Sequence, residues 1–361
     1  MKEVVFVIAG GVTGELSIGK AENLIVAGLI DEGEKTDWLR ACDVAINPMF
    51  SGSGTNIKMF DFMAAGLPVV STAKGARGIV APRHNGFLVA AESADAFVSD
   101  IARLKNEPDL YKGLSGLGRE CVEQHYSWEK ISPALGLLLQ TEKQASRTIT
   151  AASGRRHIGL FTTWNIRCGI AEESFKYARG IRQMGHRVSV FGNVLEDEFC
   201  ADVAREMLFP LNRIWYWDNK HWTSSSVDFD ALFRNIYQAD IDTLLIQHHY
   251  AYLPDDAYSE MVSLAKKHKL KVIVEIHHLK QLLDEGSRLI RQDSIQFIVH
   301  SSLDYEALVS ARGDDGVWLM PLPLEYQPPA NTQYGRRGSA TRDSRIVFSG
   351  FGYLRPHKGV K

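Results

Sequence analysis

The stretch VAINPMFSGSGTNIKMFDFMAAGLPVVST (44–72) contains one complete strand–helix–strand unit. Its two ends, VAINP (44–48) and PVVST (68–72), are short apolar runs typical of strands buried on both faces. Between them a Gly-Ser-Gly-Thr turn leads into a helix predicted from Asn56 to Ala65, which Gly66 terminates. The unit therefore predicts a parallel sheet covered by helices.

Apolar runs of this kind recur in two series along the chain. The first series is VVFVIAG (4–10), LIVAGLI (24–30), VAINP, PVVST and GFLVA (86–90). The second series is HIGLFTT (157–163), RVSVFGN (187–193), TLLIQHH (243–249), KVIVEIHH (271–278), QFIVHSS (296–302), GVWLMPL (316–322) and RIVFSG (345–350). Two such series, separated by polar linkers at 141–156 and 327–344, predict an α/β fold with two doubly wound, Rossmann-like domains.

Composition excludes several classes of protein. The 361 residues are 45% hydrophobic and 23% charged, as in globular proteins, and the formal net charge of −2 gives no field that favours nucleic acid. We expect no transmembrane segment, because no apolar run is long enough to span a bilayer. The four cysteines form no CxxC pair, so we expect reduced thiols and a cytoplasmic protein.

The turn at 51–55 is the strongest candidate for chemistry. Ligands of open parallel sheets bind beyond the carboxyl ends of the strands, where a helix start offers free N–H donors and partial positive charge. Ser53, Gly54 and Thr55 lie at such a start and suit a diphosphate. Lys58 and Asp61 share one helical face and could contact phosphate and ribose hydroxyls, respectively. The alternative is a glycine turn followed by a surface ion pair.

The segment 47–79 resembles the donor-binding segment of family-4-type (group 1) glycosyltransferases, with its glycine-rich turn, lysine, acidic residue and Met-Ala-x-Gly-x-Pro-Val-Val ending. The resemblance implies a GT-B fold, in which two Rossmann-like domains flank a cleft. It places Asp61 at the ribose-binding carboxylate and Lys58 at the donor phosphates. At the ribose-binding position the family usually has a glutamate, and this sequence has Asp61. At a second position, where the family commonly has a partner glutamate, this sequence has Ser53.

Two further segments carry the same resemblance. TTWNIRCGIAEESFKYARGIRQMGHRVSVFGN (162–193) resembles the start of the acceptor domain, and Cys168 and Gly169 occupy its donor-contacting loop. RIVFSGFGYLRPHKGVK (345–361) resembles the first strand and loop of a donor domain. In that last segment, Lys358 matches a diphosphate-binding lysine and Arg355 is the candidate for a missing arginine.

Histidines follow three strands of the second series, at 248–249, 277–278 and 300. A histidine at a strand end can donate a hydrogen bond or exchange a proton. His277 matches the family position that contacts the transferred sugar, so it is the first catalytic candidate and His248 the second. Structural histidines and a metal cluster are the alternatives. The resemblance implies no cofactor and no metal.

The family runs acceptor domain first, whereas here the donor-like domain (1–140) precedes the acceptor-like domain (157–326). The donor-like domain lacks its first strand, which is central in a sheet ordered 3-2-1-4-5-6. We predict that 346–350 fills this gap, because open strand edges inside a core are costly. The last segment, 345–361, then completes the donor domain. A circular permutant and a fragment of a tandem enzyme are both compatible with this order.

These features predict a retaining glycosyltransferase that moves a sugar from a nucleoside-diphosphate sugar to a carbohydrate or lipid-linked acceptor, with room for peripheral membrane contact. The alternative is a non-catalytic or incomplete nucleotide-sugar-binding protein. A dinucleotide-dependent oxidoreductase is a third hypothesis, based only on AGGVTGE (9–15), in which the glycine spacing is poor.

Overall fold

The computed structural model describes residues 4–10, 21–50, 55–79, 86–90, 92–140, 155–166, 168–194, 203–216, 226–313, 315–322 and 346–351. The chain divides into two compact units, Met1–Ser127 with Leu324–Lys361 and Trp128–Pro323. Each unit is built on one sheet. The predicted linkers, at 141–156 and 327–344, lie outside the described residues except for 155–156.

The first unit contains a six-stranded parallel sheet in the order β2-β1-β14-β3-β4-β5. Its strands are β1 (Val4–Ala9), β2 (Leu24–Gly28), β3 (Val44–Asn47), β4 (Val69–Ser71), β5 (Phe87–Val89) and β14 (Ile346–Phe351). Its helices are α1 (Glu32–Ala41), α2 (Ile57–Ala64), α3 (Ala94–Asn106) and α4 (Pro108–His125). Helix α1 begins with a capping box between Asp31 and Glu34.

Strand β14 lies in the centre of this sheet, although it is the last of the described elements along the sequence. It pairs in parallel with β1, from Val4 opposite Ile346 onward, and with β3, where Val44 lies opposite Phe348. The predicted insertion of 346–350 between the first and third strands is therefore confirmed. Whether the chain is a permutant or a tandem fragment stays a prediction.

The second unit contains an eight-stranded sheet in the order β13-β12-β11-β10-β6-β7-β8-β9. Its strands are β6 (His157–Phe161), β7 (Arg187–Asn193), β8 (Leu211–Tyr216), β9 (Ser226–Val227), β10 (Thr243–His248), β11 (Lys271–Ile276), β12 (Ile295–Val299) and β13 (Val317–Leu319). Its helices are α5 (Trp128–Gln140), α6 (Gly169–Gln183), α7 (Val203–Glu206), α8 (Phe229–Gln238), α9 (Asp255–Lys267), α10 (Leu279–Asp284) and α11 (Ser302–Arg312).

One pair of strands departs from the predicted all-parallel arrangement. The two-residue β9 runs antiparallel to β8. A parallel crossover needs a dozen or more residues, and the nine residues between Tyr216 and Ser226 are too few for one. Neither strand was predicted from the sequence.

The first domain was expected to end at residue 140, and this boundary is wrong, because α5 belongs to the second unit. The buried residues Leu135, Leu138 and Leu139 of α5 pack in one cluster with Ile158 and Leu160 of β6. The apolar face of α5 thus finds its core in the second unit, and the boundary moves to Ser127.

The central strands of the second unit, such as β10 and β11, are buried on both faces. Leu244 and Ile246 of β10 pack in one apolar cluster, and Leu245 between them packs in the other. This arrangement explains why the strand sequence shows no alternation of apolar and polar residues. It leaves the carboxyl ends of the strands as the places where polar side chains collect.

Candidate functional site

In the first unit, the candidate site lies where β3 and β4 end. These strands are paired neighbours, with Asn47 opposite Ser71 at their carboxyl ends. Helix α2 begins at Ile57, directly after this edge of the sheet. Its N-cap residue, Asn56, makes no side-chain capping hydrogen bond, and its side-chain amide donates to Asn47 Oδ1 at 3.1 Å. The amino end of α2 therefore keeps its positive character for an anion.

A buried polar network supports this edge. The amide of Asn47 donates to Ser71 Oγ at 3.2 Å and to the Gly75 carbonyl oxygen at 3.1 Å. A Cβ atom at Gly75 would lie 2.5 Å from both of those side chains. Gly78 has φ +81°, and a Cβ there would lie 2.1 Å from Thr55 Oγ1. Gly75 can therefore lie against Asn47 and Ser71, and Gly78 against Thr55, only because both positions are glycine.

Asp61 has a partner that the sequence did not reveal. Lys35 of α1 places Nζ 3.4 Å from Asp61 Oδ2, and the two side chains are 27% and 25% exposed. Lys58 is half-buried and lies one helical turn before Asp61 on α2. A partly exposed ion pair of this length contributes little to stability, so Asp61 remains able to accept hydrogen bonds from a ligand.

The remaining donor-side predictions lie outside the described residues. These residues are Ser53, Gly54, Arg355 and Lys358. Their proposed roles stay predictions.

In the second unit, Cys168 is the N-cap of α6, and Gly169 is the first residue of that helix. The sulfur of Cys168 accepts the N–H of Ala171 at 3.3 Å and the hydroxyl of Tyr252 at 3.5 Å. Thr163 Oγ1 lies 3.4 Å from the same sulfur. The loop expected to contact a donor is thus held to the start of α6 by a thiol.

We expect Cys168→Val to lower the free energy of unfolding by about 1 kcal/mol, because the helix loses its cap. Cys168→Ser is the matched variant and should retain wild-type stability, since a hydroxyl also accepts the Ala171 N–H. Urea unfolding followed by far-UV circular dichroism measures both. Equal losses in the two variants would mean that packing of the sulfur, rather than capping, stabilises this position.

The predicted histidines do lie at the carboxyl ends of neighbouring strands. His248 ends β10, His277 follows β11, and His300 follows β12. His248 is 1% exposed, and neither of its ring nitrogens has a hydrogen-bond partner among the described residues. Burial lowers the pKa of His248 to about 3, so the ring is neutral and packs against Tyr258 with 4.3 Å between centroids.

His277 is enclosed by polar side chains of the second unit. Its Nε2 lies 2.5 Å from Gln247 Oε1, and its Nδ1 lies 3.8 Å from Glu173 Oε2. Burial, followed by the neighbouring His300 ring, lowers the pKa of His277 well below its usual value. Both ring nitrogens therefore face groups of the protein itself.

Two buried carboxylates accompany these histidines. Glu275 Oε1 lies 3.0 Å from His300 Nε2, and Glu173 Oε1 lies 3.9 Å from the same nitrogen. Glu173 and Glu275 are 3% and 0% exposed. Burial, followed by the charge of Glu275, raises the pKa of Glu173 well above its usual value. We call Glu173, Glu275, His277 and His300 the Glu–His centre.

Sequence reasoning missed both glutamates. Glu275 carried a signal, because a carboxylate within the apolar run KVIVEIHH needs a buried partner. No sequence signal indicated that Glu173 is buried, because a glutamate in an amphipathic helix is normally solvated.

Comparisons with known proteins agree with this architecture. Residues 1–107 match the family described as Glycosyl transferases group 1. This match covers less than a third of the chain. The two parallel α/β units agree with the two-domain fold expected of GT-B glycosyltransferases.

Two curated relatives are phosphatidyl-myo-inositol mannosyltransferases. The protein from Mycobacterium leprae (strain TN) is 26% identical over 136 residues, which is 37% of this chain and 36% of the relative. The protein from Mycolicibacterium smegmatis (strain ATCC 700084 / mc(2)155) is 27% identical over 142 residues, which is 36% of each chain. The matches thus span about a third of the length of these relatives.

The crystal structure of MurG from Acinetobacter baumannii covers 47% of this chain and 68% of its own, at 10% identity. Its TM-score of 0.25 is too low to add to the fold assignment. Among the residues that the structure describes, no helix combines the length and apolar character needed to cross a bilayer.

Proposed function

We propose that this protein transfers a sugar, with retention of configuration, from a nucleoside-diphosphate sugar to a carbohydrate or lipid-linked acceptor. The observation that carries the proposal is the start of α2. An amino end without a side-chain cap, followed by Lys58 and Asp61, lies at the carboxyl edge of a parallel sheet within the family-matched region.

Each residue of this edge has a chemical role in the proposal. The first amides of α2 and the Lys58 ammonium stabilise the diphosphate, whose negative charge grows as the sugar leaves. Asp61 accepts hydrogen bonds from ribose hydroxyls in place of its contact with Lys35. Lys358 and Arg355 are proposed to add positive charge, and Cys168 and Gly169 to contact the donor. No metal takes part in this step.

For the histidines, the geometry favours a positioning role. His277 could exchange a proton with substrate only after leaving Gln247 and Glu173. We therefore propose that it shapes the end of β11 near the transferred sugar. His248 is held neutral by burial and, in this proposal, supports the neighbouring strand end.

The relatives' names guide the choice of acceptor. Both name mannose transfer and phosphatidyl-myo-inositol, so lipid-linked acceptors and peripheral contact with a membrane belong in the proposal for this chain. A cytoplasmic location is proposed as well, because the four cysteines of the sequence form no CxxC pair.

A second candidate is a nucleotide-sugar-binding protein without transfer activity. The ion pair of Asp61 with Lys35 favours it, because the pair occupies the carboxylate that the ribose needs. Ser53, in place of a glutamate that is common in the family, also favours a protein that binds without transferring.

The experiment is a thermal-shift series with nucleoside diphosphates, followed by incubation with labelled nucleotide sugars and glycan or lipid acceptors. We expect a ligand at about 100 times its Kd to add about 2.7 kcal/mol of stability, together with label in the acceptor. Stabilisation without transfer would support the binding protein. If the protein shows no stabilisation by any nucleoside diphosphate and no transfer, both candidates are overturned.

A further inference from the structure

The Glu–His centre gathers four potential ligand atoms in the interior of the second unit. One oxygen or nitrogen from each of Glu173, Glu275, His277 and His300 lies within 4.8 Å of the others. The residues come from α6 and from the ends of β11 and β12. The side chain of His277 is the most exposed of the four, at 11%.

The protonation of His300 follows from its backbone partner. Its Nδ1 lies 2.8 Å from the Met320 carbonyl oxygen, which can only accept a hydrogen bond. Nδ1 therefore carries a hydrogen, which leaves Nε2 as the ring nitrogen available to bind a metal ion. Nε2 faces Glu275 Oε1 at 3.0 Å.

The protonation of His277 follows from Gln247. The amide nitrogen of Gln247 donates to Glu275 Oε2 at 2.6 Å, which turns its oxygen Oε1 toward His277 Nε2. Nε2 must then carry the hydrogen of the neutral ring, and Nδ1 presents its lone pair toward Glu173.

The centre therefore brings potential ligand atoms together. Glu173 Oε1, Glu275 Oε1 and His300 Nε2 are buried and have no hydrogen-bond partner among the described residues. A bound cation would satisfy these buried atoms together.

We propose that the Glu–His centre binds one divalent first-row transition-metal ion, of which Zn²⁺ is the best match. Two imidazole nitrogens and two carboxylate oxygens are ligands that Zn²⁺ accepts in tetrahedral geometry, at about 2.0–2.2 Å. Ligand atoms around such an ion lie about 3.4 Å apart. The separations of 3.0, 3.8 and 3.9 Å, within a set that spans at most 4.8 Å, need side-chain movements of about 1 Å or less to approach that value.

The surroundings of the four ligands fit this proposal. Histidines that bind a metal usually donate their other ring N–H to a carbonyl or carboxyl group, which fixes the ring. Met320 and Gln247 accept these hydrogen bonds from His300 and His277, respectively. Gln247 also holds Glu275, so one amide orients two of the ligands.

The role of the ion is structural. It joins α6 to the ends of β11 and β12, and α6 begins at the loop of Cys168 and Gly169. Loss of the ion would loosen the start of α6. Metal binding can be measured without glycosyl transfer, so the failure of one proposal is distinguishable from the failure of the other.

The test begins with elemental analysis of the full chain purified without chelators. We expect about one first-row metal ion per chain. A chelator should lower the thermal transition by about 5–10 °C, and added Zn²⁺ should restore it. Co²⁺ in place of Zn²⁺ should give the visible absorption of a tetrahedral site.

Variants test whether the proposed ligands bind the metal ion. His300→Ala should abolish metal uptake, and Glu173→Gln, which preserves shape, should lower affinity at least about 10-fold. His268→Gln, on an exposed histidine, is the matched control and should bind metal as the wild type does. Circular dichroism shows whether each variant folds.

Two results would overturn the proposal. The first is protein that is metal-free as purified and takes up neither Zn²⁺ nor Co²⁺ after refolding in their presence. The second is a folded Glu173→Gln variant with unchanged metal content and affinity. In either case, hydrogen bonds among the four side chains of the Glu–His centre, rather than a metal ion, hold it together.

Discussion

Replacing Lys58 by alanine is expected to lower kcat for sugar transfer by about 10²–10³-fold, with a smaller loss of nucleotide affinity. The ammonium group acts on charge that develops on the diphosphate as the sugar departs, and a preorganised donor of this kind typically contributes such a factor. Steady-state kinetics with saturating donor, combined with nucleoside-diphosphate titration by calorimetry, measures the two effects separately.

The matched control is Lys112→Ala, because Lys112 is exposed on α4 of the same unit. It should leave both constants unchanged. Asp61→Asn keeps the shape of the carboxylate and should weaken donor binding, since it removes a charged acceptor for ribose. A Lys58→Ala enzyme with wild-type kcat would remove α2 from the proposed mechanism. The wild type could bind nucleoside diphosphate without transferring sugar. In that case the loss of nucleotide affinity in Lys58→Ala and Asp61→Asn still tests the second candidate, a nucleotide-sugar-binding protein.

Gly86→Ala is expected to destabilise the first unit by about 3 kcal/mol or more. A Cβ atom at this position would lie 2.0 Å from Cα and 2.2 Å from the backbone nitrogen of Gly118 in α4. Main-chain atoms of a helix cannot rotate aside, so α4 would have to move away from the start of β5. Urea unfolding should show the lower midpoint, and hydrogen exchange should rise in peptides from α4.

Gly116→Ala provides the comparison within the same helix. A Cβ there would have no atom within 4 Å, so the variant should gain about 1 kcal/mol from helix propensity. If Gly86→Ala and Gly116→Ala have equal stability, the close approach of Gly86 to Gly118 does not limit the packing of α4.

Strand placement was largely predictable from the sequence. The run 345–350 could be assigned to the centre of the first sheet, because a doubly wound sheet without its first strand leaves hydrogen-bonding edges open. The histidines at 248, 277 and 300 could be placed at one edge of the second sheet for a similar reason. Parallel strands bring their carboxyl ends together.

The partners of these side chains were not predictable. Asp61 meets Lys35 across 26 residues of sequence, and Gln247 meets Glu275 across 28. Helix α5 follows the first unit along the chain but packs in the second. In each case the contact depends on how two elements pack, and no local pattern contains that information.

From sequence alone, this protein is two parallel α/β units with a nucleotide-type turn before α2, because periodicity, glycine positions and strand ends depend on near neighbours. Only the tertiary structure revealed the Glu–His centre and the pairing of Asp61. Those arrangements arise when distant elements are brought within a few ångströms, and burial then decides which groups keep their charge.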